Sequence, residues 1–268
     1  MDKKFIFQPF EDLSPNENFV SGHKVTNESP IVHLEVLRQI RSEMKYFGEK
    51  AGSICSGGEI PLLLLSLGYR VRAFDISRMS CATALVKIAL LRKLGVWRFL
   101  DQLLNKSVDS TIEILKEIAA ELPPEVLKDD LSKGRYKELV GRYKFTDSWS
   151  SAWITENDIR EWQKVYKDYP LSRLEAAVEA LGRGNLTICH ANFKDVNEVF
   201  DVLYLSNSVG WSGGFEAGHV SKLVKPHGFA IGTNVDITMD GILDRKWQSD
   251  YTPGPIMNWS YHLWRKAA

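Results

Sequence analysis

An excess of charge of either sign is missing from this chain: 34 Lys and Arg stand against 34 Asp and Glu in 268 residues. A protein that grips nucleic acid by neutralising phosphates carries a basic surplus, so nucleic acid is not an expected partner. Cysteine is scarce. Cys55, Cys81 and Cys189 are the only three and lie far apart, which gives neither a disulfide framework nor a CxxC metal site. None of the six histidines shows HExxH spacing, and no metal is expected. Long apolar runs are absent too. The longest, Ile60 to Leu65 with Leu67, falls well short of the roughly 20 residues that a bilayer-spanning helix needs. The charged opening MDKKFIFQPFEDLSPNENF lacks the apolar core of a signal peptide, so the cytoplasm is the expected location.

What is present suits a soluble globular protein, with 44% hydrophobic and 25% charged residues. The length fits one large α/β domain, or a domain with a sizeable insertion. After a polar, irregular start, Ser29-Pro30 and the spacing of Ile31, Leu34, Leu37 and Ile40 predict a helix over 30–47. Strands are expected at 52–55, 69–74, 186–190, 202–206 and 229–233, with a weaker edge strand in 256–266. Helices are expected at 60–67, at 79–94 with Gly95 as its stop, and at 219–224, with a turn at 225–228. Residues 96–184 show only helical patterns, at 97–104, 108–121, 124–143, 156–169 and 172–181. Strand and helix alternate on both sides of that stretch, which implies a doubly wound, mostly parallel, Rossmann-like sheet. Residues 1–95 would hold an N-terminal helix and the first half of the core. Residues 96–184 would be a helical insertion over the crevice, and 185–268 the second half.

The stretch AGSICSGGEIPLLLLSLGYRVRAFDIS concentrates the chemistry. Cys55-Ser56-Gly57-Gly58-Glu59 puts small residues where a ligand must approach backbone, and the helix after it points unpaired N–H groups the same way. Asp75 closes the next strand, about 18 positions after Gly57, where a carboxylate can accept bonds from both ribose hydroxyls of an adenosine. Either feature alone suits an ordinary strand–turn–helix connection, with Asp75 as the N-cap of the following helix. In this order and spacing they favour a nucleoside site. Ile60 stands where the last glycine of GxGxxG would be, which favours a ligand smaller than a dinucleotide.

With those residues placed, the sequence resembles the class I S-adenosylmethionine-dependent transferases, whose fold is the class I methyltransferase fold. Their first motif runs acid-x-Gly-x-Gly-x-Gly. Here Ser53 replaces the acid, and Cys55, Gly57 and Glu59 fill the glycine positions. ICSGGEIPLLLL, VRAFDIS, MSCATALVKIALLRKLG and FDVLYLSNSVGW are similar to the 3-amino-3-carboxypropyl transferases of the betaine-lipid synthase type. The resemblance implies S-adenosylmethionine as cofactor. It implies that Cys55, Ser56, Gly57, Gly58 and Glu59 line the methionine half and that Asp75, with Ile76 and Ser77, holds the ribose. Asn192 and Phe193 would lie beside the adenine, and Ser206, Asn207 and Ser208 beneath the sulfonium.

A sulfonium is a cation and gains from an aromatic face. Trp211 and Trp153 are the candidate substrate-binding rings. Trp149, Trp162, Tyr166 and Tyr169 are expected mainly as core of the insertion. The expected reaction moves or cyclises the 3-amino-3-carboxypropyl group and releases methylthioadenosine, with a small soluble acceptor. Methyl transfer to a small molecule and a non-catalytic nucleoside-binding protein are the alternatives. Glu59 or a tyrosine of the insertion is the candidate base, and no catalytic side chain is singled out.

Overall fold

Short runs of branched and aromatic residues form the strands of the computed structural model, which describes residues 7–14, 34–38, 42, 49–123, 126, 156–206, 217–233, 242–248 and 260–266. One sheet holds eight strands: β1 (Phe10–Asp12), β2 (Lys50–Ile54), β3 (Arg70–Asp75), β4 (Leu186–His190), β5 (Phe200–Ser206), β6 (Val224–Thr233), β7 (Ile242–Gln248) and β8 (Ser260–Lys266). Their spatial order is β1-β4-β3-β2-β5-β6-β8-β7. Neighbours from β1 to β6 are parallel, and β8 runs antiparallel to both β6 and β7. Counted from β2, the parallel strands lie third, second, first, fourth, fifth, the order of a doubly wound Rossmann-like sheet. That order reverses between β2 and β5, so their carboxyl ends frame the crevice where such sheets take ligands.

The helices are α1 (Glu59–Ser66), α2 (Arg78–Leu94), α3 (Val96–Asn105), α4 (Val108–Ala119), α5 (Glu156–Lys167), α6 (Leu171–Gly182) and α7 (Ala217–Leu223). Residues 34–38 are also helical. α2 is apolar nearly all round because it lies between the sheet and a second layer: α3 and α4 pack against it, and α5 against them. α6 packs along α1. Ser77 caps α2, accepting a bond from the Ser80 N–H, and Gly95 ends it. The opposite face of the sheet carries a smaller core in which Phe74, Phe193, Phe200, Leu203 and Leu205 meet α7 and Trp264. Gly52 makes that packing possible, since a Cβ there would lie 2.8 Å from Leu203 Cδ1.

Three expectations need correction. The N-terminal segment is not wholly irregular, because β1 pairs along β4 at the sheet edge. The Glu11 carboxylate on β1 meets the Arg72 guanidinium, which also reaches Glu198 at 3.2 Å. The last strand is no edge: β8 fills the interior place between β6 and β7, and β7 is a strand the periodicity did not reveal. The turn expected at 225–228 is instead part of β6, which absorbs Pro226 and the left-handed His227 (φ 64) through a register shift against β5. Lys225 steadies this place through Asp201 at 2.9 Å, and the same carboxylate accepts the N–H groups of Glu49 and Lys50. The N-cap of α2 is Ser77, so the alternative that Asp75 merely caps this helix does not hold. The helix expected at 124–143 lies outside the described residues apart from Val126, and the one expected at 30–47 does so apart from 34–38 and Ser42. Among the described residues no helix is long and apolar enough to cross a membrane.

Candidate functional site

From Ile54 the chain turns through Cys55, Ser56, Gly57 and Gly58 into α1. The Cys55 N–H donates to the Phe74 carbonyl at 2.7 Å, and the Gly58 N–H to the Cys55 carbonyl at 2.8 Å, which closes the turn. Ser56 (φ 43) and Gly58 (φ 95) are both left-handed. A Cβ on Gly58 would sit 3.3 Å from the Ala84 Cβ, so glycine serves both the turn and the close approach of α2.

Asp75 ends β3 beside this turn. Its carboxylate accepts the Ser77 N–H at 2.9 Å, and the nearby Ser56 N–H also favours its ionised form. The buried Ser80 hydroxyl lies beside it and has no closer partner. Burial pushes the carboxyl up to about 7, against the lowering effect of these donors. Asp75 and Ile76 nevertheless keep part of their surface open while Ser77, Arg78 and Ser80 are buried. Asp75 does not cap α2, and with Ile76 it leaves part-open surface at the strand ends.

Next in the same row comes His190, the last residue of β4, paired in register with Asp75 on one side and Asp12 on the other. Its ring is fully buried, with Nδ1 at 2.8 Å from Asp12 Oδ1 and Nε2 at 3.1 Å from the Ile76 carbonyl. Arg78 donates to the other Asp12 oxygen at 2.5 Å. Burial raises the Asp12 carboxyl, but the bonds from His190 and Arg78 outweigh it and leave the group below its ordinary value.

Glu59 opens α1, yet its side chain is wholly buried and ion-paired with Lys87. The Lys87 ammonium lies 4.3 Å from the Trp162 ring centroid, and Tyr169 donates to the Glu59 carbonyl at 3.1 Å. Burial pushes Lys87 down, opposed by Glu59, and pushes the Tyr166 and Tyr169 hydroxyls well up, with the Glu59 charge adding. The cation that these insertion rings meet is Lys87. The Glu59 carboxylate and the phenols are turned into the helical layer, a poor place for a base that must meet a substrate.

Cys55 and Cys81 lie in the core under α2, whereas the Cys189 sulfur is on the opposite face of the sheet, where Arg72 donates to it at 3.4 Å. The Cys81 thiol points at the Asp75 carbonyl (3.9 Å) and the Cys189 carbonyl (3.6 Å), and interacts with Cys55. Burial pushes Cys189 up to about 12 and Cys81 well above its ordinary value, so both stay thiols and pack as small apolar groups. Among the described residues no group of three or more His, Cys, Asp or Glu side chains is arranged to hold a metal ion.

Asn192 caps the short 3₁₀ turn Phe193–Asp195, accepting the Lys194 N–H at 3.2 Å. Ser14, just after β1, accepts the Asn192 N–H and donates to Asp195. The Phe193 ring belongs to the core of the opposite face, edge-on to Phe74 at 5.5 Å. Ser206 ends β5 across the crevice from the turn, in a left-handed conformation (φ 54). Asn207, Ser208, Trp211, Trp149 and Trp153 lie outside the described residues.

Thus Cys55 to Gly58, Asp75 to Ser77 and Ser206 gather at the carboxyl ends of adjoining strands, whereas Glu59 and Phe193 send their side chains elsewhere. Sequence reasoning missed Asp12, Arg78, Lys87 and His190. Lys87 carried a readable signal, a cation in the middle of the apolar run Ala84 to Leu91, which needs a buried partner. Asp12 and His190 carried none, since their pairing depends on β1 docking beside β4. No protein-family model matches the chain, and no curated protein matches it.

Proposed function

We propose that the chain is an S-adenosylmethionine-dependent transferase that directs attack to the γ-carbon of the amino-acid chain, moving or cyclising the 3-amino-3-carboxypropyl group and releasing methylthioadenosine. The observation that carries this reading is the Asp75 carboxylate, held at the crevice edge by the Ser77 N–H, with the Ser56 N–H nearby and the part-open Ile76 beside it. That pair offers charged acceptors to two ribose hydroxyls and an apolar surface to a base, each such hydrogen bond contributing about 1.5–3 kcal/mol. The motif resemblance supplies the class. The turn fits an adenosine without a pyrophosphate, because Ser56-Gly57-Gly58 is short and Ile60 stands where a dinucleotide motif has its last glycine.

When bound, S-adenosylmethionine brings its own leaving group, so no covalent activation by the protein is required. The chain's residues bind and orient: Asp75 takes the ribose, the turn takes the methionine half, and Ser206 borders the reacting side. Positioning of this kind lowers a barrier by several kcal/mol. Ser53 stands at the position of the motif's leading acid, and its hydroxyl donates to the Ile54 carbonyl at 2.8 Å. No carboxylate at that position fixes the amino-acid half with its methyl toward an acceptor, which supports the γ-carbon route. With Glu59 and Tyr169 buried away, an acceptor that needs no protein base fits best, a neutral amine being the simplest. The amine nitrogen bonds to the γ-carbon, the carbon–sulfur electron pair leaves with methylthioadenosine, and the amine's proton passes to water.

The experiment is to incubate the protein with S-adenosylmethionine, with and without amine acceptors, and to separate nucleoside products by mass. Methylthioadenosine above the non-enzymatic background is expected. S-adenosylhomocysteine alone would make the chain a methyltransferase, and binding without either product would make it a nucleoside-binding protein.

A further inference from the structure

The His190 ring faces an acceptor at each nitrogen. A carbonyl oxygen can only accept, and so can the Asp12 carboxylate, which the Arg78 guanidinium at 2.5 Å keeps ionised. A neutral imidazole has one N–H and would leave a lone pair pointing at one of these oxygens inside a fully buried site. Two donors satisfy both. We propose that His190 works as an imidazolium positioning group: braced by Asp12, it holds the Ile76 carbonyl and so fixes the Asp75-Ile76-Ser77 turn that receives the adenosine. The ligand part rests on the proposed function. The brace itself is a property of the free protein.

The charged surroundings agree. β1 contributes Asp12, β3 contributes Asp75, and α2 contributes Arg78 and the Cys81 thiol. Asp195, after β4, is bonded to Ser14, and Glu11 and Arg72 pair with one another on the far side of the sheet. With Asp75 ionised, two carboxylates face two cations, and the row is neutral. As pH rises and His190 loses one proton, it keeps a single donor and must release either Asp12 or Ile76. Losing the tie to Ile76 loosens the ribose turn, and ligand affinity falls about 3- to 10-fold, the worth of one hydrogen bond. Asp75 acts in the opposite sense, since its ionisation near pH 7 improves it as an acceptor. Loss of the second His190 donor therefore opposes what Asp75 gains.

The test is a pH titration by NMR of the ligand-free wild-type protein, following the His190 ring nitrogens and the Ser77 amide, the other half of the peptide that carries the Ile76 carbonyl. Calorimetry of S-adenosylmethionine binding over the same range follows, on wild type and Asp12→Asn. Both ring nitrogens should read as protonated at the low end, and the Ser77 amide should move with the ring. In Asp12→Asn the ring signal and the loss of affinity should move together to lower pH, because the bracing carboxylate is gone. A ring with one protonated nitrogen throughout, or a Ser77 amide indifferent to it, overturns the proposal. Affinity that falls at the same pH in both proteins overturns it as well. Co-titration of ring and amide without S-adenosylmethionine binding at any pH would uphold the brace and sink the ligand reading. The wild-type titration needs no variant, so misfolding of Asp12→Asn cannot shelter the proposal.

Discussion

The backbone N–H of Ser77 donates to the carboxylate of Asp75 at 2.9 Å, so the acid at the end of β3 is held by the turn that follows it in the free protein. A ligand that bonds to Asp75 therefore meets a carboxylate already aimed, with little left to order on binding.

Asp75 sets stability against binding. Its carboxyl stands at about 7 in the folded protein, above the ordinary 3.8, so the folded state holds that proton more tightly than the unfolded chain. Stability contributed by the protonated group is complete below about pH 4 and is lost as pH rises toward 7. Asp75→Asn mimics the protonated form. The ligand-free variant should melt higher than wild type at pH 8 and near it at pH 4, while losing most of the stabilisation that S-adenosylmethionine gives. Thermal melts at both values decide it. A variant that melts lower than wild type at pH 8, or binds as well, would contradict the assignment.

The Lys87–Glu59 pair is buried on both sides, so removing one partner strands a charge. Lys87→Met should cost about 3–5 kcal/mol in urea unfolding. Adding Glu59→Leu should recover most of that loss, because an apolar pair of similar volume needs no counter-ion. A double variant less stable than the single one would mean that the ion pair, and not the stranded charge, governs stability.

Gly58 and Gly68 both have left-handed φ, but only at Gly58 would a Cβ meet a neighbour, the Ala84 side chain. Alanine at either position should cost about 1–2 kcal/mol through backbone strain. Gly58→Ala should in addition weaken S-adenosylmethionine binding, since it displaces the turn against α2. Equal affinity in the two variants would remove the turn from the site.

The parallel core could be read in advance because its signals are local. LTICH and FDVLYLS are short buried runs between polar stretches, and Gly95 sits where a helix must end. Gly57-Gly58 and Asp75 could also be read, since a turn and an acid at fixed spacing need no knowledge of distant contacts. The rest depends on partners remote in sequence. Three residues of β1 become a strand only because β4 offers an edge. β7 carries Asp244, Arg245 and Lys246 and shows its strand character only against β8. Glu59 looked like a cofactor contact from its place in the motif, and only the position of Lys87 on the next helix shows where its carboxylate goes.

The placement of β8 between β6 and β7 governs the order in which the sheet can be completed during synthesis. Among the described strands β7 pairs only with β8, and one side of β6 waits for the same strand. A ribosome adding about 5–20 residues each second leaves both edges open until residue 266 has cleared the exit tunnel. Until then Gly232, whose bare backbone is covered by the Trp264 ring in the finished protein, stays uncovered. The nascent chain thus passes through a stage with two unpaired strand edges, the kind of surface that holdase chaperones shield and that drives aggregation when they are scarce.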